Sequence, residues 1–235
     1  MFNTFILKNY SMAYRVFVRT HKLLLAAILA ILTTQSAQAE DTITIVAFGD
    51  SLTRGYGLPQ DQGFVPQLQA WLHANGAENI TVLNAGLSGD TTAGGLARID
   101  WTLTDEVDAV IVALGGNDML RGIYPTSSQE NLDGIVALLT KRGLPVMLVG
   151  LPAPTNFGPE FKETFDAMYE VVATKYDALL YPYFFEGFGV AQDANALRQY
   201  LQNDATHPNA EGVLLIVAHM GPMVLELISD LGEHL

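Results

Sequence analysis

Apolar residues along this chain come in two rhythms, short unbroken runs and longer periodic segments, and the two alternate. The unbroken runs are Ile43–Phe48, Ile80–Asn84, Ala109–Leu114, Val146–Gly150 and Leu179–Tyr183. Continuous and rich in β-branched residues, they predict strands buried on both faces. Between them, Phe64–Ala74, Ala93–Leu103, Ser128–Arg142 and Glu160–Tyr176 are amphipathic, as helices with one buried face are. A last apolar helix is expected over Ala210–Leu231, interrupted near Gly221-Pro222 because proline removes a helical donor. Together these imply an α/β fold, a five-stranded parallel sheet covered by helices on each side. No repeat, low-complexity tract or linker breaks the pattern, so residues 40–235 read as one domain. The least patterned stretch, Glu186–Thr206, is expected to be a long surface connection.

Polar residues and glycines gather just past the ends of the first three strands. They are Gly49-Asp50-Ser51, Asn84-Ala85-Gly86-Leu87-Ser88-Gly89-Asp90 and Gly115-Gly116-Asn117-Asp118. In a flavodoxin-like order, 2-1-3-4-5, strands 2, 1 and 3 are neighbours. The order reverses between 1 and 3, where open α/β sheets bind ligands. All three turns then converge on one crevice.

The segment before the first strand reads differently. Residues 1–39 hold Lys8, Arg15, Arg19 and Lys22 and no acidic residue. An unbroken apolar run, Leu23–Leu32, follows, and Ala37-Gln38-Ala39 precedes Glu40. A basic start, a ten-residue apolar run and an A-x-A site predict a cleaved signal peptide. Spanning a bilayer takes about 20 residues, so no stable membrane anchor is expected and the address is periplasmic or secreted. Cleavage removes those four basic residues and leaves 8 Lys+Arg against 25 Asp+Glu, a net of −17 on 196 residues. Such a field repels nucleic acid and anionic surfaces and favours neutral or cationic partners. Cysteine is absent, which removes disulfides, thiolate chemistry and cysteine–zinc sites.

Within Thr42–Gly57 a buried strand delivers Ser51 to a sharp turn, and a helix follows with free N–H groups beside the hydroxyl. A nucleophile elbow needs that arrangement, although a serine or Asp50 that merely caps the helix fits it too. A nucleophilic serine needs a base. His73, His219 and His234 sit on helices or in the terminal tail and read as structural. His207 lies in a loop, in Asp204-Ala205-Thr206-His207. An aspartate three residues earlier can hold its Nδ1 and leave Nε2 to take the serine proton. A helix cap or half a metal site fits the same pair, but no further cluster completes a metal site.

Gly49-Asp50-Ser51-Leu52, Gly86, Gly115-Gly116-Asn117-Asp118 and Asp204-x-x-His207 resemble, in order, the four blocks of the SGNH (GDSL) hydrolase superfamily. The strings GDSLTRGYGLP, NAGLSGDTTAGGLARIDW and LGGNDMLRG are most similar to its periplasmic arylesterase, thioesterase and lysophospholipase branch. The resemblance implies Ser51 as nucleophile, His207 as base and Asp204 as its orienting partner. It also implies an oxyanion hole from the Ser51 and Gly86 N–H groups and the Asn117 amide, with no metal or cofactor. One departure is Ala205-Thr206, where the branch carries a glycine after the aspartate. Asp50, Asp90 and Asp118 read as caps and braces of the turns. Arg54, Arg98 and Arg121 can hold an anion or pair with nearby carboxylates.

Two segments poor in charge follow strands 3 and 4, Met119–Tyr124 and Pro152–Phe157. On the same sheet edge as Ser51 they can wall an acyl groove, with Met119, Leu120, Ile123 and Phe157 as its expected lining and Gly122 as a hinge. Packing on the body of the protein is the other use of Leu120 and Ile123. The expectation is therefore a monomeric esterase for short- to medium-chain acyl esters. A carbohydrate O-acetylesterase and a non-catalytic binding module are its rivals.

Overall fold

In a computed structural model that describes residues 42–189, 197–229 and 231, the run after Thr42 forms β1 (Ile43–Gly49). It is followed by β2 (Ile80–Gly86), β3 (Ala109–Ala113), β4 (Val146–Val149) and β5 (Leu179–Tyr181). The leader expected over 1–39, His234 and part of the Glu186–Thr206 connection lie outside the described residues.

All five strands are parallel and follow the order β2-β1-β3-β4-β5, as the turn chemistry suggested. Gly49 pairs in register with Gly86 on one side and Ala113 on the other. The three polar turns thus leave the sheet at one level.

The helices described from end to end are α1 (Ser51–Arg54), α2 (Phe64–Ala74), α3 (Thr92–Thr102), α4 (Gly116–Leu120), α5 (Pro125–Lys141), α6 (Pro159–Tyr176) and α7 (Ala210–Leu227). Alternation along β1 divides the core between them. Ile43, Ile45 and Ala47 pack with α2 and α7, whereas Val46 and Phe48 pack with α3, α5 and α6. α5 and α6 begin earlier than their periodicity suggested, because Pro125 and Pro159 suit the first helical turn, where no donor is needed.

Two expectations about the last helix need correction. α7 ends at Leu227 rather than Leu231, and it runs unbroken through Pro222. Gly221 abuts the Trp71 ring, with no room for a Cβ, and Val217, Met220 and Val224 are buried. Packing along this face outweighs the donor lost at Pro222. α7 is also the one helix among the described residues long and apolar enough to cross a membrane. Here it covers the sheet, which accounts for its hydropathy.

Candidate active site

Ser51 is the first residue of α1, and the chain turns into it where little else fits. A Cβ on Gly49 would lie 2.7 Å from the Ala113 carbonyl oxygen, so glycine is needed there. Asp50 caps the new helix: its Oδ1 accepts the Leu52 N–H at 2.9 Å. The remaining Oδ2 accepts the Asn117 Nδ2–H at 3.1 Å, tying the turn after β1 to that after β3. Asp50 is 3% exposed, and burial pushes its carboxyl up to about 6. Gly115, at φ 120°, precedes α4 in a conformation that favours glycine, and Asn117 in that helix lines the same cavity as Ser51.

The base arrives from the other end of the chain. His207 Nε2 lies 2.9 Å from Ser51 Oγ, and His207 Nδ1 lies 2.7 Å from Asp204 Oδ2. With Nδ1–H donating to the carboxylate, Nε2 is the acceptor for the serine hydroxyl. Asp204 Oδ1 also accepts the Thr206 and His207 N–H groups at 2.9 and 3.0 Å. These hydrogen bonds, that from the His207 N–H first, hold its carboxyl down to about 2. The loop is a small hairpin of its own: Leu201 and Pro208 form an antiparallel bridge, and the Gln202 N–H donates to the His207 carbonyl at 2.8 Å. At its tip Ala205 has φ 55°, the left-handed region that favours glycine. That is the position of the departure noted above, and the substitution leaves Asp204 within reach of the imidazole.

The other aspartates brace. Asp118 is fully buried and accepts from the Thr92 N–H, Thr92 Oγ1 and Ser128 Oγ. Asp90 pairs with Arg98 at 2.7 Å, and Arg98 also donates to the Gly49 carbonyl. Arg121 donates to the Gly89 carbonyl. Of the other histidines, His73 Nε2 lies 3.0 Å from the Ile80 carbonyl and His219 Nδ1 2.8 Å from the Tyr181 hydroxyl. Among the described residues, no three His, Asp or Glu side chains group as a metal site.

Around this relay lies a largely apolar cavity of about 370 Å³. Met119 and Leu120 line it, as expected of them, but Ile123 and Phe157 do not. Phe157 instead stacks on Phe161, 5.0 Å between ring centroids, and packs against the core. The cavity's further walls are Leu151 and Pro152 after β4 and Tyr183 and Phe185 after β5. The last two went unremarked in the sequence, although the rule that put two other turns at this edge applies equally after β5.

The glycine singled out in the second turn is also differently placed. Gly86 is not a lining residue; its N–H donates to Asn84 Oδ1 at 3.0 Å, and its Cα lies against the Arg54 backbone. Gly89, three residues on, lines the cavity with Ser51, Asn117 and His207 at φ 81°. Its N–H bonds to no acceptor among the described residues.

The GDSL-like lipase/acylhydrolase family model matches residues 47–214. Esterase TesA of Pseudomonas aeruginosa is 38% identical over 208 residues, covering 88% of this chain and 98% of that protein. Thioesterase 1/protease 1/lysophospholipase L1 of Escherichia coli (strain K12) is 32% identical, over 85% of this chain and 90% of that one. Among solved structures, AlinE4, an SGNH-hydrolase family esterase, superposes with a TM-score of 0.64 at 39% identity, covering 79% of this chain and 96% of its own. The chain belongs to the GDSL-like lipase/acylhydrolase family, within the SGNH hydrolases, and is a carboxylic ester hydrolase.

Proposed function

We propose that residues 40–235 are an exported serine esterase, released by cleavage after Ala39, that hydrolyses short- to medium-chain acyl esters through an acyl-enzyme on Ser51. The observation that carries this reading is the relay from Ser51 Oγ through the His207 imidazole to Asp204, with contacts of 2.9 and 2.7 Å.

In this reading His207 Nε2 takes the Ser51 proton as Oγ attacks the ester carbonyl, and Asp204 steadies the imidazolium that forms. The Ser51 N–H, the Gly89 N–H and one Asn117 amide hydrogen hold the oxyanion. Gly89 replaces Gly86 in this role because it lines the cavity and its N–H bonds to no acceptor among the described residues, whereas the Gly86 N–H is engaged by Asn84. The protonated imidazole then passes its proton to the departing alcohol oxygen. Water, deprotonated by the same nitrogen, releases the acid. Met119, Leu120, Leu151 and Phe185 shelter the acyl chain in the cavity. The names of the two relatives, an esterase and a thioesterase/lysophospholipase, support extending the substrates to thioesters and lysophospholipids.

The test is a series of neutral aryl esters on the mature protein, read beside Ser51→Ala. Burying one methylene contributes about 0.8 kcal/mol, close to fourfold, so kcat/KM rises by up to that factor per carbon from acetyl before levelling. Ser51→Ala stays folded and loses the burst of aryl alcohol. Retention of more than a tenth of wild-type kcat by that variant would refute the nucleophile. A steep preference for acetyl over butyryl would turn the reading toward a carbohydrate O-acetylesterase.

A further inference from the structure

A second groove, of about 680 Å³, meets the apolar cavity at a common rim made by Tyr56 and Ser88. Its character is different. Among the described residues Arg54 is its only charged lining residue and no carboxylate lines it, in a chain with 25 Asp+Glu. Arg98 and Arg142 each pair with an aspartate, but the Arg54 guanidinium bonds to no partner among the described residues. The Ser88 hydroxyl and the Gln60 amide, also in the groove, likewise bond to no partner among the described residues.

Ester chemistry gives this groove a use. A serine esterase seats two halves of its substrate, and only one of them is the acyl chain. During acylation the carbonyl carbon stays bonded to Ser51 Oγ, the bond to the alcohol oxygen breaks, and the proton on His207 Nε2 goes to that oxygen. The alcohol half must therefore lie beside the imidazole. Tyr56 is packed there, its ring centroid 4.7 Å from that of His207, and Tyr56 is the wall that both cavities share. An alcohol half leaving along that ring enters the groove that holds Arg54.

We infer that this groove is the alcohol subsite of the enzyme and that Arg54 selects esters whose alcohol half carries an anion, a carboxylate or a phosphoryl group. The inference rests on the esterase reading above and adds a specificity to it. The anion is a spectator of the chemistry, held by a charge-assisted hydrogen bond while the ester bond is cut. A negative protein otherwise repels such a substrate, so an arginine with no ion-pair partner among the described residues, in a groove that none of their carboxylates lines, supplies what the overall field lacks.

The experiment uses butyryl esters of phenols matched in size, bearing a meta carboxylate, a meta phosphonate or a neutral meta carboxamide. The quantity read is the ratio of kcat/KM, anionic over neutral, for the wild type, Arg54→Gln and Arg54→Lys. Arg54→Gln is expected to lower that ratio about fivefold, the scale of one partly exposed charge pair, with Arg54→Lys recovering most of it. A fall confined to the phosphonate or to the carboxylate identifies which anion is recognised. An unchanged ratio in Arg54→Gln overturns the subsite. Failure of the wild type to cleave even the neutral ester overturns the esterase reading itself, a separate and earlier outcome.

Discussion

Asp50 stands at the buried end of β1 with 3% of its surface exposed, whereas the Asp204 side chain is 40% exposed in the loop before α7. Each touches a residue proposed to act on the ester, Asn117 for the first and His207 for the second. Their acidities move in opposite directions. Burial raises Asp50 to about 6, and hydrogen bonds from the His207 and Thr206 N–H groups and the imidazole lower Asp204 to about 2. The buried half of the site is held by the sheet, and its cost is an ionised carboxylate with little solvent. The exposed half is held by a hairpin of local hydrogen bonds, and its carboxylate stays ionised throughout the neutral range. Precision at a site thus comes from core packing on one side and from loop chemistry on the other.

Breaking the exposed half has the largest expected effect. Asp204→Asn should cut kcat by up to about 10⁴-fold, because the amide favours the wrong imidazole tautomer. Steady-state kinetics with an aryl ester measures this, and a loss below tenfold would show that the loop alone orients the ring. On the buried half, Asn117→Ala should lower kcat by about 10²–10³ with little change in KM, since the lost hydrogen bond belongs to the oxyanion. The opposite split, KM up and kcat steady, would make Asn117 a ground-state contact.

The third prediction separates the two aspartates by pH. Because the Asp50 folded pKa of about 6 exceeds its ordinary 3.8, its contribution to stability is fully present below 3.8 and is lost as pH rises through 6. That loss amounts to about 2 kcal/mol between pH 4 and pH 7, and Asp50→Asn should abolish it in denaturant melts at the two values. Asp204, shifted the other way, contributes above 3.8 and loses its contribution as pH falls through about 2. It adds little to the slope between pH 4 and 7, and with the opposite sign. The smallest effect is expected at Ala205, whose φ of 55° strains any residue with a Cβ. Ala205→Gly should raise stability by about 0.5–1 kcal/mol, read as a shift in denaturant midpoint, the strain relieved being partly offset by glycine's greater freedom when unfolded.

Much of this molecule is readable from its residues. Unbroken runs became buried parallel strands because a strand covered on both faces has no polar side to show. Gly49-Asp50-Ser51, Gly116-Asn117 and Asp204-x-x-His207 announced the groups that the fold brings together, since their spacing within each turn is local. What the residues withheld is which members of a turn face which neighbour. Gly86 and Gly89 share one short turn, yet only Gly89 lines the cavity, because Gly86 is pressed against the Arg54 backbone and Gly89 turns through positive φ. Ile123 and Phe157 belong to apolar segments like those of Met119 and Leu120, but Phe157 found a partner in Phe161 and packed with the core. Pro222 signals a helix break locally and loses to the packing of α7 across the sheet. Sequence by itself determined the strands, the single chain order of the polar turns and the local Asp204–His207 pairing, because each depends on near neighbours. The facing glycine, the cavity walls and the 2.9 Å contact between Ser51 and His207 were decided by tertiary structure, because each depends on residues brought together across 156 positions or from separate strands.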